Sequence, residues 1–377
     1  MKATAFPKYA KYITHGPKGH IDIDSFFISV EMRDRPELTK VPCATYDSRR
    51  GTPITSANYL AKSLGIDSAM RVEDARKICP DLWLVEERPE EYKKVSDKFF
   101  TIIKRRAGDR VELYSADEAF VDLSKHSYEK AADWTRELIK ELEDELRVPI
   151  SGSVAPTKWL NKMMTNYVKP HGFDVLKSEA DVKLFYPLKV EKFHGIKEKT
   201  GKKLRKFDIE TIGDIANAPL TTLTAACRKT FGKMLYYRMR GDKYSSYLPW
   251  DYMVIPWYVE IPATTIGNTI KIEFQYPEHI KGRIRVLCSK VSKRMEEGRY
   301  DGRTLTLGMR FEEDGNLKWV EKSKSLPAPR YFHEKEMLEL LALKDLFDKI
   351  YIPKKRVGRV GLRVSNLVRG WSQLRLL

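Results

Sequence analysis

The chain has 377 residues, with 69 Lys and Arg against 52 Asp and Glu and a net charge of +17. That length exceeds one ordinary domain, and no apolar run approaches the roughly 20 residues that a membrane helix needs. The excess of positive charge points to a polyanionic partner, and basic residues scattered over several folded units favour nucleic acid over a membrane surface.

Residues 1–19 are basic but lack an apolar core and a small-residue cleavage site, so no export signal is read there. Residues 20–23 read as a strand and 25–33 as the helix after it, with Phe26 and Val30, and Phe27 and Glu31, at i,i+4 spacing. Short helices are expected at 54–64 and 70–79. Residues 91–106 form an amphipathic helix, with Tyr92, Val95, Phe99, Ile102 and Ile103 on one face. Strands at 111–116 and 119–123 bracket Asp117 and Glu118. A helix at 129–146, a strand near 148–154 and a helix at 158–168 complete an α+β unit. Residues 187–246 read as all-helical, and the aromatic, proline-rich stretch from 247 as a linker. Strand (269–275), helix (278–297), two strands (302–312, 317–325), helix (333–350) and strand (356–364) then make a βαββαβ-like unit. Acids gather at 81–91 and 137–145, whereas 351–377 carries seven basic residues and no acid. Cys43, Cys79, Cys227 and Cys288 stand far apart without a CxxC pair, which argues against a zinc site or disulfide framework and suits a reducing cytoplasm.

The chemistry concentrates in two acidic motifs. In HIDIDSFF, Asp22 and Asp24 share one strand face by its period of two. Asp24 or Ser25 suits a helix N-cap, whereas an ionised Asp22, deeper in an apolar strand, is costly unless it is paired or metal-bound. In LYSADEAFVDL, Asp117 and Glu118 sit near a hairpin tip, where adjacent carboxylates repel and rise in pKa without a cation. Hard oxygen ligands suit Mg²⁺ or Mn²⁺. Two such ions about 3.5–4 Å apart would clamp an in-line phosphoryl transfer. SANYLAK places Tyr59 and Lys62 three apart, and APTKWLNK places Lys158 and Lys162 at i,i+4, donors of the kind a triphosphate needs.

These segments, with SANYLAKSLGI and GSVAPTKWLNKMMTNYVKPHG, resemble the motifs of Y-family DNA polymerases in order and spacing. VEMRDRPEL and FGKMLYYRMRGD are similar to the bacterial DNA polymerase IV branch, and the resemblance covers about residues 20–365. It implies a multidomain right hand with a palm (1–25 and 93–180), fingers (26–92), a thumb (181–246), a linker (247–257), a little finger (258–366) and a tail (367–377). Asp22, Asp117 and Glu118 would hold two Mg²⁺ ions, with Mn²⁺ as a substitute, aided by the backbone carbonyl of Ile23. Tyr59, Lys62 and Lys162 would contact the triphosphate, and Phe27 would be the steric gate against a ribose 2′-OH. The reaction would be attack of a primer 3′-OH on a dNTP, directed by primer–template DNA. It would be low in fidelity, able to bypass lesions and without proofreading, in a cytoplasmic monomer associated with the nucleoid if bacterial.

Three departures carry expectations of their own. Lys62 stands where many relatives have Arg, keeping charge but losing the bidentate fork. In FHGIKEKTGKKLRKFDI, similar to a helix–hairpin–helix, Lys197 and Asp208 replace usual glycines, which predicts strain or a changed turn. The terminal Gln373, Leu374, Leu376 and Leu377 resemble the QLxLF peptide that docks on a sliding clamp, with Leu where Phe is usual. Two other classes compete. A silent DNA-binding scaffold would not need the carboxylate cluster, and a metal-dependent nuclease would not need a sugar gate.

Overall fold

The computed structural model describes residues 16–47, 53–177, 179–240, 265–313, 316–327 and 331–369, together with Val254. The chain divides into two compact units, Met1–Val259 and Glu260–Leu377.

The first unit is built on β1 (Lys18–Ile23), buried along its whole length. Helix α1 (Phe26–Asp34) follows it. β1 is the middle strand of a five-stranded sheet that also contains β5 (Val111–Leu113), β6 (Glu118–Asp122), β7 (Ile150–Ala155) and β8 (Phe173–Val175), in the order β5-β6-β1-β7-β8. Ile21 and Ile23 join a core with Tyr92, Val95, Phe99, Ile102 and Ile103 of α4 (Pro89–Ala107) and with Leu138, Ile139 and Leu142 of α5 (Tyr128–Leu146). His20 and Asp22 alternate onto the opposite face, where α6 (Lys158–Val168) lies. Gly152 of β7 permits this packing: a Cβ there would meet Ile139 Cδ1 at 2.6 Å and the His20 carbonyl at 2.7 Å.

A smaller sheet, β3-β2-β4, is formed by β2 (Cys43–Tyr46), β3 (Ile54–Ala57) and β4 (Trp83–Glu86). The sequence reading of a helix over 54–64 is therefore corrected. Residues 54–57 pair with β2, and only Tyr59–Ser63 (α2) is helical there, with Val72–Ile78 (α3) the next helix. Asn58 marks the boundary, because its side chain accepts from the Ala61 amide at 2.9 Å and caps α2. The expected strand over 111–116 is also shorter. The Tyr114 and Ser115 amides both bond to the Glu118 carbonyl (3.1 and 3.3 Å) and close the hairpin after Leu113.

The described residues of 187–240 are helical, as expected, in short pieces around a core that includes Leu204, Ile215, Leu223 and Leu235. Trp159, Leu160, Met163 and Met164 of α6 belong to this same core, and Trp159 stacks on Phe193 at 5.5 Å. One helix thus carries both the site lysines and the helical layer.

In the second unit an antiparallel sheet of order β12-β11-β13-β9 is made by Thr265–Lys271 (β9), Thr304–Glu313 (β11), Asn316–Ser325 (β12) and Arg356–Ser365 (β13). The helix Pro277–Glu297 and the helical stretch 335–350 pack on one face of it, against Leu305, Leu307, Met309, Val360 and Leu362. The expected βαββαβ order is present, with an added short ladder of Tyr300–Asp301 (β10) and Val368–Arg369 (β14). Residues 373–377 and almost all of 247–257 lie outside the described residues. None of the described helices is long and apolar enough to cross a membrane.

Candidate active site

Antiparallel pairing of β1 with β6 sets Asp22 opposite Glu118, and the Ile23 amide bonds to the Asp117 carbonyl at 2.9 Å. The three carboxylates therefore meet at one end of the sheet. Asp22 is 4% exposed and Glu118 is 8% exposed. Asp117 accepts a hydrogen bond from the Ser115 hydroxyl at 2.6 Å.

Cations surround this group. Lys162 Nζ donates to Glu118 Oε2 at 2.5 Å and to Asp22 Oδ2 at 3.3 Å. Lys169 donates to Asp22 Oδ1 and lies 3.6 Å from Asp24 Oδ1. Burial opposes ionisation of Asp22, but the charges of Lys169 and Lys162 outweigh it and hold the carboxyl below its ordinary value. Burial raises Asp117, with the neighbouring Asp22 charge adding to it. Burial also pushes Glu118 up to about 7, Lys162 opposing and Asp22 and Asp117 adding to the rise. Two carboxylates that resist ionisation beside an ionised third, with an ammonium seated between Asp22 and Glu118, fit a place for a divalent cation.

Asp24 departs from the capping expectation. Ser25 occupies the N-cap position of α1 with φ 46° and ψ 50° and makes no side-chain cap bond. Asp24 is fully buried, accepting from the Ser151 hydroxyl at 2.8 Å and the His171 amide at 2.6 Å. Its strand neighbours and the turn after α6 claim the carboxylate before the helix can, and burial raises its pKa.

A cleft of about 230 Å³ opens beside the carboxylates, lined by Asp22, Ile23, Ser25, Phe27, Lys62, Asp117 and Lys169 among others. Phe27, half-buried, stacks on Tyr92 with ring centroids 4.6 Å apart and planes 12° apart. Tyr92 donates to the buried Glu31 carboxylate at 2.8 Å, which Arg88 also holds at 2.9 Å. Lys62 Nζ donates to Ser25 Oγ at 2.7 Å and lies 4.7 Å from the centre of the Tyr59 ring. Burial raises the pKa of the Tyr59 hydroxyl, with a hydrogen bond to Ser25 opposing the rise. Lys158 turns elsewhere, to Glu112 at 2.9 and 3.0 Å.

Lys162 lies on the other side of the carboxylates. It lines a separate cavity of about 110 Å³ with Tyr114, Phe120, Trp159, His194 and Arg238. Lys169 was not singled out in the sequence. Its signal is the Lys-Pro after α6, where the chain leaves the helix and turns back toward β1. His20, two residues before Asp22 on the same strand face, was missed as well.

The hairpin of the helical layer is unstrained at Lys197, whose backbone is extended (φ −102°, ψ 168°) at the start of Glu198–Arg205. Asp208 takes the left-handed conformation (φ 57°), which aspartate tolerates better than most residues. Gly195, at φ 96°, keeps the turn that requires glycine.

Residues 21–166 match the impB/mucB/samB family, and residues 265–376 match the C-terminal domain of that family. The DNA polymerase IV of Streptococcus sanguinis is 30% identical over 359 residues, which is 92% of this chain and 95% of the relative. That of Bacillus velezensis is 30% identical over 364 residues, covering 95% of this chain and 84% of the relative. A Dbh–Dpo4 Y-family DNA polymerase chimera superposes with a TM-score of 0.68 at 18% identity, over 94% of this chain and 100% of its own. An insertion ternary complex of Dbh DNA polymerase gives 0.59 at 20%, with the same coverage. With both family domains present in order and relatives aligned along nearly their whole length, the chain belongs to the impB/mucB/samB family, in the DNA polymerase IV branch of the Y-family DNA polymerases.

Proposed function

We propose that this DNA-directed DNA polymerase, of a class that performs template-directed synthesis and lesion bypass, works through Asp22, Asp117 and Glu118 as ligands of two Mg²⁺ ions. The observation that supports this reading is the meeting of three buried or half-buried carboxylates, two of them paired with the Lys162 ammonium. Bound there, the ions would supply charge compensation for the attacking 3′-oxygen and the leaving pyrophosphate. The carbonyl of Ile23, a residue that lines the cleft, would complete the ligand set.

The remaining work falls to the side chains. Lys62 and Lys169 both line the cleft, and with the Tyr59 hydroxyl they would hold the β- and γ-phosphates. Lys162 would give up its carboxylate partners in the loaded enzyme and become a fourth phosphate donor. Phe27, backed by Tyr92, would press against the sugar and exclude a 2′-OH. Primer–template DNA would be gripped mainly through phosphates by the basic helical layer and second unit, and synthesis would be uncorrected. Residues 373–377 would dock a sliding clamp, leaving the chain a monomer on DNA.

Primer extension on a defined template with one dNTP at a time tests the reading. The complementary nucleotide alone should be added, and only with a divalent cation. Release of nucleotides from the primer end instead of addition would favour the nuclease class.

A further inference from the structure

The carboxylate centre has a neighbour that the mechanism above leaves unused. His20 is fully buried, 0% exposed, and lies on β1 two residues before Asp22, hence on the same face of the strand. A ring nitrogen of His20 and one oxygen each of Asp22 and Glu118 all lie within 4.8 Å of one another.

A chain of hydrogen bonds fixes which nitrogen carries the proton. The Ser153 hydroxyl donates to Asn161, whose backbone and side-chain oxygens lie at 3.0 and 2.9 Å. The Asn161 side-chain nitrogen faces the carbonyls of Lys18, Ala155 and Thr157, so its oxygen is the atom toward Ser153. A hydroxyl has one proton, so Ser153 can only accept from Thr165 at 2.9 Å. Thr165 has then spent its own proton and accepts from His20 Nδ1, also at 2.9 Å. The imidazole is neutral with its proton on Nδ1, and Nε2 carries a lone pair.

Nε2 is buried and has no hydrogen-bond partner. An orphan acceptor in a protein core is rare and calls for an explanation. Packing alone gives a partial one, since the ring lies 4.5 Å from Phe120, but a phenyl ring would pack there without the orphan. A histidine clustered with two carboxylates, one nitrogen anchored by a hydroxyl and the other carrying a lone pair, has the arrangement of a metal ligand.

We propose that His20 Nε2 supplies a nitrogen ligand to a divalent cation shared with Asp22 and Glu118, making this centre a mixed nitrogen and oxygen site. The inference rests on the carboxylates holding metal, as read above. Imidazole favours Mn²⁺ and Co²⁺ over Mg²⁺, which prefers oxygen throughout. The centre therefore binds Mn²⁺ more tightly than its three carboxylates alone would. The network through Thr165, Ser153 and Asn161 sets the ring's orientation and is continuous with α6, the helix that carries Lys162.

The test is pulsed electron paramagnetic resonance on the full chain loaded with Mn²⁺ alone. The native chain should show a directly bound ¹⁴N nucleus, replaced by a ¹⁵N coupling when the protein is grown on ¹⁵N-histidine. His20→Phe, which keeps the contact with Phe120, should lose the nitrogen coupling and bind Mn²⁺ about tenfold more weakly, with Mg²⁺ affinity little changed. Mn²⁺ bound without a histidine nitrogen, or a coupling that survives in His20→Phe, overturns the nitrogen ligand while leaving the carboxylate site standing. Failure of the native chain to bind Mn²⁺ at all overturns the carboxylate site as well. The isotope comparison needs no substitution, so it decides the matter even if His20→Phe folds poorly.

Discussion

Lys162 Nζ sits 2.5 Å from Glu118 Oε2 and reaches Asp22 from the same position. In the metal-free chain, a helix lysine thus neutralises two of the carboxylates to which the mechanism assigns metal. Removing it leaves buried carboxylates short of a partner. Lys162→Met should destabilise the metal-free protein by about 3 kcal/mol, and added Mg²⁺ should recover part of that loss by mass action. Thermal unfolding with chelator and with Mg²⁺ checks this. An equal deficit in both conditions would contradict it.

The raised pKa of Glu118 gives a pH dependence of definite sign. Its folded value, about 7, lies above the ordinary 4.5, so the native state holds the proton more tightly than the unfolded chain. The stability it contributes is full below the unfolded value and is lost as pH rises through about 7. Asp22, held low, acts in the opposite sense and at lower pH. Without metal, the native chain should lose stability relative to Glu118→Gln as pH rises from about 5 to 8. A difference that does not change with pH would rule out the shift.

Phe27 should govern sugar selection. Its ring is held by Tyr92, and Tyr92 by Glu31. Phe27→Ala should lower discrimination against ribonucleotides by roughly tenfold to a hundredfold, on the order of 1.4–2.7 kcal/mol of transition-state preference, without changing metal affinity. Tyr92→Ala should show a weaker form of the same change. Single-nucleotide insertion with dNTP and rNTP pairs measures both, and unchanged selectivity in Phe27→Ala would remove the gate assignment.

Much of this site was legible in the sequence because period-two strands and i,i+4 helices announce which face a residue takes. Asp22, Asp117 and Glu118 stood out as charges in otherwise apolar strands. The small sheet was not legible. Residues 54–57 are too short a run for periodicity to separate strand from helix, and they pair with β2, which in turn pairs with β4, only through contacts outside any local pattern. Lys169 and the buried Asp24 were hidden for a related reason: their partners, Asp22, Ser151 and His171, come from other elements. The orphan nitrogen of His20 depends on a four-residue hydrogen-bond chain that no local pattern reveals.

Binding to primer–template DNA should weaken steeply with salt, since the basic residues are spread along 194–206 and 351–377 and would meet phosphates. Affinity should fall roughly a thousandfold or more between about 50 and 200 mM salt. A shallow dependence, read by fluorescence anisotropy, would count against these segments as the grip.

Deleting residues 373–377 should leave basal extension intact and abolish stimulation by a sliding clamp. Stimulation that survives the deletion would remove the docking assignment.

Asp117, with Asp22 and Glu118, is proposed to hold the catalytic metal. Primer extension in Mg²⁺ with the native chain and Asp117→Asn, alongside primer–template affinity for each, tests it directly. The native chain should perform template-directed addition, the variant should lose at least a hundredfold in rate, on the order of 2.7 kcal/mol in the barrier, and both should bind DNA equally. A variant that extends primers at the native rate, or two proteins that bind DNA while neither extends it, would contradict it.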